Sequence, residues 1–148
     1  MILSDQITIL LVEDDEGHAL LVEMNLREAG LDNPIDRVGD GQAALDYVGQ
    51  RVDMEQPRPL LVLLDLNLPV VDGYGVLRQL KSNPKTHRIP IIVLTSTEDS
   101  REIERCYELG CNVFLTKPVE YSAFVTAVKQ LGLFLSVIQL PSTNQSIT

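Results

Sequence analysis

The sequence predicts an α/β protein built on a parallel sheet, and three observations carry that reading. Short apolar runs alternate five times with longer stretches of helical period, the pattern of successive βα units. The runs are continuous rather than alternating, as in strands covered on both faces. The chain has 148 residues, 45% of them hydrophobic, a size that usually makes one domain and buries about two thirds of the unfolded surface.

Ile7-Thr8-Ile9-Leu10-Leu11-Val12 reads as the first buried strand, and Ala19, Val22, Leu26 and Ala29 then recur at helical spacing until Gly30 supplies a stop. Ile35 to Val38 is a weaker strand. Asp40-Gly41 is its turn and helix cap, and Ala44, Leu45 and Val48 mark the second helix. A polar loop from Gln50 to Pro59 leads to Leu60–Leu64, the most apolar strand and therefore the central one. Its helix runs from about Asp72 to Lys81. After the turn-rich Ser82-Asn83-Pro84, Ile91–Leu94 is the fourth strand, Glu98–Leu109 the fourth helix with Gly110 at its end, and Asn112–Leu115 the fifth strand. The last helix starts near Val119 or Glu120, and only Gly132 interrupts its pattern before Pro141. The expectation is a single unit over 1–148, with a core of about 6–131, a helix extension or interface over 132–141 and a frayed polar tail over 142–148.

Twelve Lys and Arg against twenty-one Asp and Glu give a net charge of −9, which argues against binding nucleic acid or an anionic membrane by charge. The longest apolar run is about six residues, far short of the roughly 20 that span a bilayer, and no basic leader follows Met1, so a soluble cytoplasmic protein is expected. Two cysteines, Cys106 and Cys111, make no disulfide framework and are expected to be reduced and partly buried. With only His18 and His87 beside them, a zinc site is close to excluded. His18 reads as a surface residue of the first helix.

In open parallel sheets, ligand and catalytic groups collect at the carboxyl ends of the strands. Strand one here ends in Glu13-Asp14-Asp15, strand three in Asp65-Leu66-Asn67, strand four in Thr95-Ser96 and strand five in Thr116-Lys117-Pro118. Glu13, Asp14 and Asp65 would lie within several ångströms of one another, each close pair costing about 1 to 4 kcal/mol. Lys117 offsets one charge, and the oxygen-rich surroundings suit Mg²⁺. Acids, a lysine and the Thr95 hydroxyl around a metal form a site for a phosphoryl group, with a carboxylate as nucleophile. Taken singly, each feature has a plainer reading: Asp65 as a loop or cap residue, Lys117-Pro118 as a turn opener, Thr95-Ser96 as an N-cap pair, Glu13-Asp14-Asp15 as an acidic first helical turn. Four of them at four strand ends in one order make the stronger signal.

Val12-Glu13-Asp14-Asp15, Leu64-Asp65-Leu66-Asn67-Leu68-Pro69, Asp72-Gly73, Val93-Leu94-Thr95-Ser96 and Phe114-Leu115-Thr116-Lys117-Pro118 together resemble a response-regulator receiver domain over about residues 6–131. The resemblance implies a flavodoxin-like (βα)5 three-layer sandwich with a five-stranded parallel sheet of order 2-1-3-4-5. It implies that Asp65 accepts a phosphoryl group from the phosphohistidine of a sensor histidine kinase. It further implies Mg²⁺, or Mn²⁺ in its place, bound by Asp14, Asp65 and the main-chain carbonyl of Asn67, with Glu13 assisting through water. Lys117 would contact the phosphoryl group, the Lys117-Pro118 bond would be cis, and Thr95 and Phe114 would form the signalling switch. The chain would act on no independent substrate and would catalyse only its own phosphorylation and slow dephosphorylation, with Asn67 and Thr97 near the attacking water. Glu at 13 and Phe at 114 depart from the family's commoner Asp and Tyr; the first keeps the acid, the second offers no hydroxyl.

The Gln50–Pro59 loop and the stretch from Leu80 to Pro90 narrow the resemblance to the stand-alone regulators that accompany cyanobacterial phytochrome kinases, implying a phytochrome-type kinase as partner. With too little chain for an output module, output is expected through contacts. Phe124, Val128, Leu131, Leu135 and Ile138 form one stripe of the last helix, and Leu133, Val137 and Leu140 a second one nearly opposite. That second stripe is a candidate homodimer interface; the alternative is that Gly132 ends the helix and the segment folds back on its own domain. Two other functions fit less well. A Mg²⁺-dependent phosphohydrolase resembling the haloacid dehalogenase superfamily needs an acid where Asn67 stands, and an adaptor without phosphate chemistry would lack Asp65, Asp14 or Lys117.

Overall fold

The computed structural model describes residues 6–55, 59–117, 120 and 122–131. Thr8–Val12 forms β1, followed by α1 (Glu16–Glu28), β2 (Ile35–Val38), α2 (Gly41–Val52), β3 (Leu60–Asp65), α3 (Gly73–Ser82), β4 (Ile91–Thr95), α4 (Ser100–Glu108) and β5 (Val113–Thr116). A last helix, α5, covers 122–131. An aspartate opens each of the first four helices: Asp15, Asp40, Asp72 and Asp99 accept the main-chain N–H groups of His18, Ala43, Gly75 and Arg101. Such caps satisfy amides that a helix start leaves orphaned and are worth about 1 kcal/mol each. Gly30 and Gly110, with φ of +86° and +103°, carry the chain out of α1 and α4.

The five strands are parallel and ordered β2-β1-β3-β4-β5, which makes Leu60–Asp65 central, as its continuous apolar run predicts. Period-two alternation divides the interior into two cores. Ile9 and Leu11, Leu61 and Leu63, and Ile92 and Leu94 face α1 and α5, whereas Leu10 and Val12, Val62 and Leu64, and Ile91 and Val93 face α2, α3 and α4. Of the stripe expected on the last helix, Phe124, Val128 and Leu131 are buried, and Leu135 and Ile138 lie outside the described residues. Both cysteines are free and buried, and among the described residues no helix is long and apolar enough to cross a membrane.

Several boundaries move. Helix α2 continues to Val52, into the expected loop, and α4 starts at Ser100 behind an Asp99 cap rather than at Glu98. Asp65 and Thr95 are the last residues of their strands, not the first of the following loops, so the plainer reading of Thr95-Ser96 as an N-cap pair fails. The stretch after α3 is tied down by Lys81, whose ammonium donates to the carbonyls of His87 and Ile89 and to Asn112 Oδ1 at 3.1, 2.7 and 3.2 Å. Nothing in the pattern signals Val70, an exposed β-branched residue at φ +70°, a conformation that costs about 1–2 kcal/mol. Pro118, and with it the expected cis bond, lies outside the described residues, as do Leu133, Val137, Leu140 and the segments 132–141 and 142–148.

Candidate functional site

The register carries the strand ends to one edge: Val12 pairs with Leu64, Asp65 with Leu94 and Thr95 with Thr116. Glu13, the residue after β1, is fully buried, its N–H donating to Val38 O at 3.1 Å while Arg37 Nε donates to its carbonyl at 3.0 Å. Asp14 is exposed beside it. Asp65 is 4% exposed, and one of its oxygens accepts the Asn67 N–H at 3.2 Å. Gly73 sets how closely α3 starts behind this strand end: a Cβ there would lie 2.4 Å from Leu66 Cα and 2.5 Å from Asp65 O, a fit open only to glycine.

Lys117 N–H donates to Thr95 O at 2.7 Å, which fixes the chain leaving β5. From there its ammonium donates to Glu13 Oε2 at 2.7 Å and to Asp65 Oδ2 at 3.2 Å. Carboxylate oxygens of Glu13, Asp14 and Asp65 come within 4.8 Å of one another. Three carboxylates around one ammonium leave two negative charges uncompensated, and the donors are all hard oxygens, so the residues present fit a divalent cation of the Mg²⁺ kind.

The titration behaviour has the same cause. Burial pushes the Glu13 carboxyl up from its ordinary range, and repulsion from Asp65 adds to the rise; the Lys117 ammonium offsets only part of it. Burial works against the Lys117 charge too, but its hydrogen bond to Glu13 and the charge of Asp65 outweigh that and hold its pKa above the usual lysine value.

A cavity of about 460 Å³ opens over these groups, lined by Asp14, Asp65, Asn67, Ser96 and Lys117 and running along α1 past His18, Leu21 and Asn25. Thr95, at the end of β4 next to Ser96, is 3% exposed, its hydroxyl oxygen accepting the Thr97 N–H at 3.1 Å. Phe114 is half-buried on β5, edge-on to Tyr107 with ring centroids 5.9 Å apart. Asp14, Asp65, Asn67, Glu13 and Lys117 are therefore brought together, with Thr95 and Phe114 on the adjoining strands. His18 is exposed, as expected of it, yet its Nδ1 stands 3.6 Å from Glu13 Oε1. Its place at the cavity, like those of Leu21 and Asn25, follows from how α1 leaves its Asp15 cap and has no signature in the pattern of residues.

The profile of the response regulator receiver domain spans residues 9–129. The chain belongs to that family. Response regulator Rcp1 of Synechocystis is 38% identical over 136 residues, 90% of this chain and 92% of Rcp1, and the structure of its Mn²⁺-bound form superposes with a TM-score of 0.67 over 84% of this chain and 90% of that one. A receiver domain from Rhodospirillum rubrum is 51% identical with a TM-score of 0.70, covering 88% and 94% of the two chains. The bacteriophytochrome response regulator RtBRR is 40% identical with a TM-score of 0.75, covering 84% and 77%. The protein is thus a response regulator of a two-component system. Receiver domains take phosphoryl groups from histidine kinases and bind Mg²⁺ or Mn²⁺ at an acidic cluster, and an acidic cluster is present in this receiver.

Removing the ammonium from this receiver tests the charge balance. Lys117→Met is expected to cost about 3 kcal/mol near pH 8, because it strands buried carboxylates. With its folded pKa raised, ionised Glu13 costs stability above the ordinary carboxylate range, a cost that disappears as pH falls through the folded value. The deficit in urea unfolding should therefore shrink towards pH 5; a deficit equal at both pH values would show that the ammonium does not balance the acids.

Proposed function

We propose that this receiver accepts a phosphoryl group on Asp65 from the phosphohistidine of a sensor histidine kinase and signals through protein contacts. The observation that carries this is the place of Asp65, a nearly buried carboxylate at the floor of an open cavity, with the Lys117 ammonium on Oδ2 and the Asn67 amide on Oδ1. A carboxylate oxygen of Asp65 attacks phosphorus as the P–N bond to the imidazole breaks, and the imidazole leaves with the electron pair. Lys117 donates to the phosphoryl oxygens, so the charge it shares with Glu13 and Asp65 in the resting site is redistributed. The Thr95 hydroxyl donates to another of those oxygens and leaves the Thr97 N–H it now accepts. Phe114 then moves towards the space Thr95 gives up, turning a charge event into a packing change.

Asp14, Asp65 and the main-chain carbonyl of Asn67 would hold Mg²⁺, or Mn²⁺, with Glu13 reaching it through water. That division of roles fits Glu13's buried position, with Oε2 on Lys117 and Oε1 on the Asp15 N–H. When bound, the ion supplies charge neutralisation for the incoming phosphoryl oxygens. Hydrolysis from Asp65 is slow and intrinsic, with Asn67 and Thr97 near enough to tune the attacking water. The likeness to the bacteriophytochrome response regulator RtBRR supports a phytochrome-type kinase as the donor, and the cytoplasm is where such a partner would meet it.

Incubation with acetyl phosphate and Mg²⁺ should add one phosphate to the intact mass, and Asp65→Asn or omission of the metal should abolish it. An adduct that survives Asp65→Asn would overturn the assignment. We further propose that Leu133, Val137 and Leu140 form a homodimer interface. Sedimentation should give a dimer that Leu133→Glu with Val137→Glu converts to monomer, and a wild-type monomer at high micromolar concentration, phosphorylated or not, would contradict this.

A further inference from the structure

Between the end of β4 and the start of α4, the Thr97 side chain is turned towards α4 by two hydrogen bonds. Its hydroxyl donates to Glu102 Oε2 and accepts the Asp99 N–H at 3.2 Å. Glu102 is itself held from a second helix: its other oxygen accepts the Tyr74 hydroxyl of α3 at 3.4 Å, and the Arg105 guanidinium lies 4.2 Å from the centre of the Tyr74 ring. An acid in a first helical turn ordinarily serves the helix dipole. Glu102 does more than that, since both its oxygens are committed to groups outside its own helix. The Thr97 N–H, meanwhile, is bound to the Thr95 hydroxyl oxygen at 3.1 Å, so the backbone of this residue is tied to the end of β4 while its hydroxyl is tied towards α4.

We propose that Glu102 is a positioning residue that prolongs the life of the phosphoryl group by holding the Thr97 hydroxyl on the α4 side of the β4–α4 turn. The inference rests on Asp65 being the phosphoacceptor. In hydrolysis a water oxygen bonds to phosphorus and the P–O bond to Asp65 breaks; the carboxylate leaves with the electron pair, inorganic phosphate departs and the water's proton passes to phosphate or solvent. A hydroxyl that accepts a hydrogen bond from that water orients its attack. A hydroxyl has one proton and two lone pairs, and here the proton is spent on Glu102 and one lone pair on the Asp99 amide. Removing Glu102 frees the hydroxyl to turn towards the water.

The test is the decay of phosphate on the full-length chain after labelling with acetyl phosphate and Mg²⁺ and removal of the donor, followed by intact mass. Glu102→Ala should shorten the lifetime about three- to tenfold, the worth of one hydrogen bond. Glu102→Gln, whose amide oxygen still accepts from Thr97, should stay near the wild-type lifetime. In a Thr97→Val background, Glu102→Ala should change nothing, which separates a positioning role from a general loosening of α4. An unchanged lifetime in Glu102→Ala, or the same shortening with Thr97→Val present, overturns the proposal and leaves the Asp65 chemistry standing. Failure of the wild-type chain to take up phosphate overturns both.

Discussion

Two carboxylates, Glu13 and Asp65, are buried at the ends of neighbouring strands and share the single ammonium of Lys117. Like charges a few ångströms apart at a protein-like dielectric repel by about 4 kcal/mol, a large part of the 5–15 kcal/mol by which a domain is stable. The arrangement persists because the sheet behind it is almost wholly apolar: every residue of Leu60–Leu64 and Ile91–Leu94 is buried. Parallel order places β1 beside β3, so the two acids must be neighbours, and it places β5 where Lys117 can cross β4 to reach both. Its N–H on the Thr95 carbonyl fixes the direction of that reach.

Charge and packing are therefore joined at one point. Thr95 ends the strand between the acids and Lys117, and its hydroxyl oxygen holds the turn that leads into α4. Beyond it, Thr97, Glu102 and Tyr74 link that turn by hydrogen bonds to α4 and α3. Phe114, packed against Tyr107 of α4, lies on the same route. Hydrogen bonds through Thr95 thus join the chain leaving β5 to the turn that leads into α4.

Much of this was legible in the residues. Apolar runs marked the strands, only weakly at Ile35–Val38, and the acids, hydroxyl and lysine at the ends of four of them marked the site, because each residue's place followed from its own strand. What pattern could not supply was pairing across distance. Lys117 and Glu13 are 104 positions apart, and only the strand order, inferred through family resemblance, brings them together. The link from Thr97 to Glu102 and Tyr74 depends on where α4 starts, and its Asp99 cap competes with Glu98 and with Thr95-Ser96 as equally good local signals. Val70 escaped because a left-handed conformation at a β-branched residue runs against local preference. The stripe of Ala19, Val22 and Leu26 set which face of α1 is buried, but nothing in it says that His18 and Leu21, beside that stripe, border the cavity.

The central claim is that the chemistry belongs to Asp65 and that the other acids serve it. Borohydride reduction of the phosphorylated chain converts an aspartyl phosphate to homoserine and leaves free carboxylates untouched, so peptide sequencing then reads the acceptor position directly. The account predicts homoserine at position 65 alone. Homoserine at position 14, or a reduced side chain at position 13, would contradict it and make Asp65 structural rather than reactive.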